Sequence, residues 1–330
     1  MNYPEMRLQR LRQNPSIRKM VKEHHLRADQ FIMPIFIDEG ITQPSKIDAL
    51  PGIMKHGLNS LNEEVKEIAE SGIISVILFG IPKEKSETGN NAYSDDGIIQ
   101  KAIRQIKHAF PNVVVITDCC LCEYTTHGHC GILKNNSTSD TFDSEATLTI
   151  LGKIAVSYAK AGADIVAPSG MIDGMVISIR DALDEQGYEM TSILSYAAKF
   201  ASQFYGPFRD ATNAHHFNGS RDHHQMGVSQ GKEAIREVLM DESEGADMVM
   251  VKPGLPYLDV VRIVSEQSQL PVAIYQVSGE YAMLKLAAEK GIVDEVSAFE
   301  EVFLSMKRAG ASLIISYYAK EMAGYIRENL

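Results

Sequence analysis

Short apolar runs alternate with longer amphipathic ones from residue 31 onward, and this alternation restricts the fold more than any other feature. Strands are expected at Phe31–Ile37, Ile73–Phe79, Val113–Thr117, Asp164–Ala167, Ser192–Ser195, Met248–Val251, Val272–Tyr275 and Ser312–Ser316. Helical patterns lie between most of them: Glu63–Glu70, Ile98–Phe110, Ala146–Ala161, Asp173–Gln186, Lys232–Glu242, Tyr257–Gln267 and Glu280–Lys290. Similar junctions recur at Ser71-Gly72-Ile73, Ala161-Gly162-Ala163-Asp164, Glu244-Gly245-Ala246-Asp247 and Ala309-Gly310-Ala311-Ser312. Glycine suits them because the residue past a helix end often takes a positive φ. Strands alternating with helices imply a parallel sheet with right-handed crossovers, and a closed (β/α)8 TIM barrel is the economical solution. That fold takes roughly 250 residues. The excess is assigned to an N-terminal arm, residues 1–30, and to two long loops, 118–143 and 200–230, leaving one catalytic barrel over 31–330. An open doubly wound sheet is the alternative, but no Gly-x-Gly-x-x-Gly turn follows any of the strands.

The 45% hydrophobic content is ample for a large core, and the formal charge of −11 argues against general nucleic-acid binding. The arm is basic, with Arg7, Arg10, Arg12, Arg18, Lys19, Lys22 and Arg27, and fits contact with another subunit. It lacks the apolar run of a signal peptide, and no segment offers eighteen uninterrupted apolar residues. A soluble, cytoplasmic protein without membrane partners is expected.

All four cysteines fall between Asp118 and Cys130, in Asp118-Cys119-Cys120-Leu121-Cys122-Glu123-Tyr124-Thr125-Thr126-His127-Gly128-His129-Cys130. A disulfide framework would spread them along the chain, whereas a tight cluster reads as soft ligands around one metal, zinc first. Residues two apart in extended backbone share a side, so Cys120 and Cys122 can converge while Cys119 faces away. With Cys130, three thiolates leave zinc an open position, as in a catalytic site; His127 or His129 in that position would make it structural.

Catalytic groups of a βα barrel project from the C-terminal strand ends. Those ends carry Asp118, Ser169, Lys199, Lys252, Ser278 and Tyr317. Lys252 closes an apolar run before Pro253-Gly254; a desolvated amine there has a lowered pKa and can attack a carbonyl, or else the lysine reaches solvent. Lys199 has a similar setting, and two ammonium groups in one mouth would depress each other. The following loop holds Phe204-Tyr205-Gly206-Pro207-Phe208-Arg209-Asp210-Ala211, Gly219-Ser220-Arg221 and Gln225. It reads as an ordered lid whose arginines suit a carboxylate substrate, or as surface arginines paired with Asp210 and Asp222. The pairs His215-His216 and His223-His224 read as loop surface.

The segments Asp118–Cys130, Ser195–Ala211, Met248–Asp259 and Val277–Met283 closely resemble the porphobilinogen synthase (5-aminolevulinate dehydratase) family, and the similarity runs over nearly the whole chain. The resemblance implies condensation of two 5-aminolevulinate molecules to porphobilinogen with loss of two waters. It implies Schiff bases on Lys199 and Lys252, and Asp118 as an active-site acid. Arg209, Arg221 and Gln225 would hold one substrate carboxylate, and Ser278 with Tyr317 the other. Cys120, Cys122 and Cys130 match the ligands of catalytic Zn2+, with Cys119 outside the set, and Glu237 matches a ligand of allosteric Mg2+. The family forms homo-octamers whose arms embrace neighbouring subunits.

Two stretches depart from the family pattern. Gly170-Met171-Ile172-Asp173-Gly174-Met175 stands where Asp-Met-Met-Asp-Gly-Arg is usual, and His224 replaces a tyrosine before Gln225. The rival readings are a catalytically weakened zinc-binding paralogue and a class I aldolase-like lyase, which would need one lysine and no thiols.

Overall fold

The computed structural model describes residues 5–134, 142–212 and 221–329. Eight parallel strands form the barrel: β1 Phe31–Asp38, β2 Ser75–Ile81, β3 Val114–Cys119, β4 Ile165–Pro168, β5 Ser192–Lys199, β6 Met248–Lys252, β7 Val272–Gln276 and β8 Leu313–Ser316. Each pairs with the next, and β8 returns to β1 through Phe31↔Ile314 and Ile32↔Ile315. Closure removes both sheet edges, which is why the strands read as continuous apolar runs covered on both faces.

The barrel helices are α1 Leu58–Glu70, α2 Ile98–Ala109, α3 Ser144–Ala161, α4 Met175–Glu185, α5 Gly231–Ser243, α6 Leu258–Gln267, α7 Ser278–Glu289, α8 Glu295–Ala309 and α9 Ala319–Asn329. Helix α2 shows why they dock: Ile98, Ile99, Ala102, Ile103 and Ile106 make a buried stripe at helical spacing. Gly72, Gly162, Gly245 and Gly310 take φ of 95°, 105°, 102° and 114°, so the repeated junctions are left-handed helix ends that return the chain to the barrel.

The structure differs from the sequence reading at several points, among them the start of α1 at Leu58, five residues before Glu63. Strand β5 runs to Lys199, four residues beyond Ser195. Helix α4 begins at Met175, because Gly174 ahead of it takes φ 76°. Two helices, α7 and α8, separate β7 from β8 where one was expected, and α9 follows β8. Two small antiparallel pairs, Ser45–Lys46 with Met54–His56 and Ile132–Leu133 with Phe142–Asp143, were not read at all.

Ahead of the barrel, a short turn at Leu8–Leu11 and the helix Pro15–Met20, capped by Asn14, bury no residue. Met6, Leu8, Leu11 and Met20 are exposed there, and Leu26 is the first buried side chain among the described residues. Among the described residues no helix is long and apolar enough to cross a membrane.

One buried polar contact ties α5 to the barrel. Ser195 Oγ donates to Asp241 Oδ2 at 2.5 Å, and burial pushes the Asp241 carboxyl up to about 7. A carboxyl raised in the folded state gives stability that is full below its unfolded pKa of about 4 and is lost as pH rises through about 7. The wild-type melting temperature is therefore expected to fall between pH 5 and pH 8 more steeply than that of Asp241→Asn; parallel curves would refute this.

Candidate active site

Register places the two strand-end lysines side by side. Val249 pairs with Ser195 and Val251 with Ala198, so β5 carries one more residue than β6 over that interval. This bulge sets Lys199 directly opposite Lys252. Partners in adjacent strands share a face, and both amines enter the barrel mouth, buried to 7% and 6% exposure.

Their surroundings differ. Lys199 Nζ donates to the Ser169 carbonyl at 2.6 Å. Lys252 Nζ sits among aromatic rings, 4.4 Å from the centroid of Tyr275, 5.0 Å from Tyr196, 5.2 Å from Tyr205 and 5.4 Å from Phe208. Burial, and then the neighbouring Lys199, bring the Lys252 pKa down to about 7. An amine attacks a carbonyl only in its neutral form, so the rate at which Lys252 forms a borohydride-trappable imine with a ketone is expected to rise as pH passes through about 7 and then level off. A rate still rising tenfold per unit above pH 9 would contradict it.

Asp118, at the end of β3, and Glu123 are buried close to the two amines. Burial and the proximity of Glu123 hold the Asp118 carboxyl well above the usual range, and burial followed by Cys120 pushes Glu123 up to about 7. Two carboxyls beside two amines can keep protons in a site closed to bulk water. Sequence reasoning missed Glu123; its place directly after Cys122 was the available signal.

Cys120, Cys122 and Cys130 gather their sulfurs within 4.8 Å of one another, all buried, with Cys120 Sγ and Cys122 Sγ 3.3 Å apart. Zinc–sulfur bonds of about 2.3 Å put tetrahedral ligands roughly 3.8 Å apart, so the three thiols fit a tetrahedral ion with one open position. Hydrogen bonds from Cys120 and Cys122 hold the Cys130 thiol well below its ordinary range. Cys119 turns away, its sulfur toward the Leu151 carbonyl. His127 and His129 shape the loop instead of joining the sulfurs: each Nδ1 accepts a backbone N–H, from His129 and Gly131.

The lid helix Gly206–Ala211 plugs the mouth with Phe208, which packs on Phe36 and Phe79. Arg209, Arg221 and Gln225 line one small cavity with Cys122, Cys130, Lys199 and Lys252. Burial and the nearby Arg221 lower the pKa of Arg209, which places two cations where an anion would relieve both. Arg221 also donates to the Gly128 carbonyl at 3.1 Å, joining lid to cysteine loop. Arg209 Nε and Gln225 Oε1 are buried with no hydrogen-bond partner among the described residues. At the other side, Ser278 Oγ accepts the Phe208 N–H at 3.0 Å, and the Tyr317 hydroxyl lies 3.2 Å from that of Tyr275.

One surface assignment is corrected. His224 turns inward, its ring 4.9 Å from His129, with both nitrogens buried and burial holding its pKa down at about 3. Phe142 packs against it, which the distance along the chain concealed. His223 is exposed. His215, His216, Gly219 and Ser220 lie outside the described residues. Glu237 stands apart from the mouth, on α5, lining an outer pocket with Asp173 and Glu233.

Paired amines, paired carboxyls and a thiol cluster at the C-terminal mouth of a closed βα barrel mark an enzyme. The family model for delta-aminolevulinic acid dehydratase matches residues 5–325, and the chain belongs to that family, whose enzymes are lyases. The delta-aminolevulinic acid dehydratase of Archaeoglobus fulgidus is 50% identical over 321 residues, covering 97% of this chain and 98% of its own. That of Bacillus subtilis is 48% identical over 322 residues, 98% of each chain. The crystal structure of the Toxoplasma gondii enzyme (porphobilinogen synthase) in complex with the reaction product porphobilinogen superposes with a TM-score of 0.96 at 42% identity. It covers 98% of this chain and 92% of that one.

Proposed function

We propose that this enzyme condenses two molecules of 5-aminolevulinate to porphobilinogen with loss of two waters, through Schiff bases on Lys252 and Lys199. The observation that carries the reading is the pairing of these lysines across β5 and β6, with thiols and arginines lining the same cavity. Each amine attacks a substrate ketone, whose oxygen leaves as water, and the iminium acidifies the adjacent C–H. Asp118 and Glu123 hold the protons that the departing oxygens need. The lysines are released as the new C–C and C–N bonds close the ring, so two waters in all are lost. Arg209, Arg221 and Gln225 bind one substrate carboxylate and Ser278 with Tyr317 the other, which orients the two molecules. Phe208 and the lid keep water from the imines.

Cys120, Cys122 and Cys130 would hold Zn2+, which when bound supplies a Lewis-acid position beside the substrate amine. Glu237, with Asp173 and Glu233 beside it, offers the oxygen donors that Mg2+ prefers, and we assign it as the allosteric site. The exposed apolar residues of the arm support its role, as a separate segment 1–30, in subunit contacts within a homo-octamer. A cytoplasmic location fits an enzyme whose thiols must stay reduced. An aldolase-like lyase would leave one lysine and all the thiols unexplained. The test is incubation of purified protein with 5-aminolevulinate and zinc: porphobilinogen is the expected product, and none formed would refute the proposal.

A further inference from the structure

Glu280 has no part in the chemistry described above, yet its carboxylate is wholly buried. It lies in the first turn of α7, where the helix N-terminus favours an anion. Its Oε1 accepts the Leu255 N–H at 2.5 Å, and its Oε2 accepts those of Gly254 at 3.1 Å and Val277 at 2.7 Å. The first two donors belong to the loop that leaves Lys252, and the third directly precedes Ser278. One carboxylate thus bridges the ends of two neighbouring strands, one bearing an imine-forming amine and the other a carboxylate-binding hydroxyl. The loop is pressed close: a Cβ on Gly254 would stand 2.8 Å from Met306 Cε, 3.2 Å from the Tyr275 carbonyl and 3.4 Å from Glu280 Oε1. Burial pushes the Glu280 carboxyl up to about 7, while the three backbone donors favour its ionised form. Three bonds to fixed backbone donors are directional whatever the charge, which suits a spacer better than an apolar packing contact would.

We propose that Glu280 is a positioning residue that locks the Lys252 loop to the start of α7, fixing the spacing between the Lys252 amine and the Ser278–Tyr317 pair to the length of one 4-keto acid. This rests on the proposed function, because it takes Lys252 as an imine former and Ser278 as a carboxylate ligand. Substituting Glu280→Gln keeps the size and replaces one acceptor by a donor facing backbone N–H groups. Loosening of that spacing penalises a substrate held at both ends and spares one held at the amine alone.

The test compares borohydride trapping at Lys252, located by peptide mapping, with two probes: 5-aminolevulinate and aminoacetone, which keeps the ketone and lacks the carboxylate tail. The wild type is expected to favour 5-aminolevulinate by at least about tenfold, and Glu280→Gln to reduce that preference by about tenfold, aminoacetone being trapped as before. Gly254→Ala, which strains the same bridge from the loop side, is expected to move the ratio in the same direction. Melting temperatures of both variants identify any that fail to fold. Equal loss with both probes in a folded variant, or an unchanged ratio, would overturn the positioning role. A wild type that forms no imine with either probe would instead overturn the reading on which it rests.

Discussion

Replacing Lys252 by methionine is expected to lower kcat/KM for porphobilinogen formation by at least about 10⁴-fold, the scale of loss when a covalent nucleophile is removed. The fold is expected to survive. The amine lies among Tyr275, Tyr196, Tyr205 and Phe208, so an apolar chain of similar length fills the same volume without a charge to desolvate. The melting temperature of Lys252→Met should therefore equal or exceed that of the wild type. Loss of activity together with a collapse in stability would show that the buried amine holds the structure up rather than performing chemistry.

The second large effect concerns the thiols. Cys122→Ser removes one of three converging sulfurs and leaves a hydroxyl that is a poor zinc ligand. Zinc affinity is expected to fall by more than about 100-fold, beyond the loss from removing an outer partner of a ligand, and activity at low zinc to fall with it. Cys119→Ser is the control, since that sulfur points to the Leu151 carbonyl on the far side of the strand. Metal content after dialysis against a graded chelator series separates the two. A Cys119 variant that loses zinc as readily as the Cys122 variant would contradict the ligand set.

The barrel was legible because its strands are covered on both faces and because glycine marks the helix ends at Gly72, Gly162, Gly245 and Gly310. Strand β5 was read short because Tyr196-Ala197-Ala198-Lys199 ends in a charge, and a charge at a strand end looks like a loop. The bulge against β6 left no local mark, although it alone brings Lys199 opposite Lys252. The lysines, cysteines and lid arginines carry chemistry in their residue types and could be singled out from the chain. Glu280 could not, because inside α7 it resembles any polar helix residue, and only the folded loops show what its carboxylate accepts. His224 was misjudged for a related reason: its partners, His129 and Phe142, lie far away along the chain.

Borohydride reduction of the enzyme in the presence of 5-aminolevulinate, followed by peptide mass mapping, tests the two-lysine site most directly. The expected result is substrate-dependent adducts on Lys252 and Lys199, diminished when sodium levulinate competes for the same amines. Adducts confined to other lysines, or none in an enzyme that still makes porphobilinogen, would contradict it.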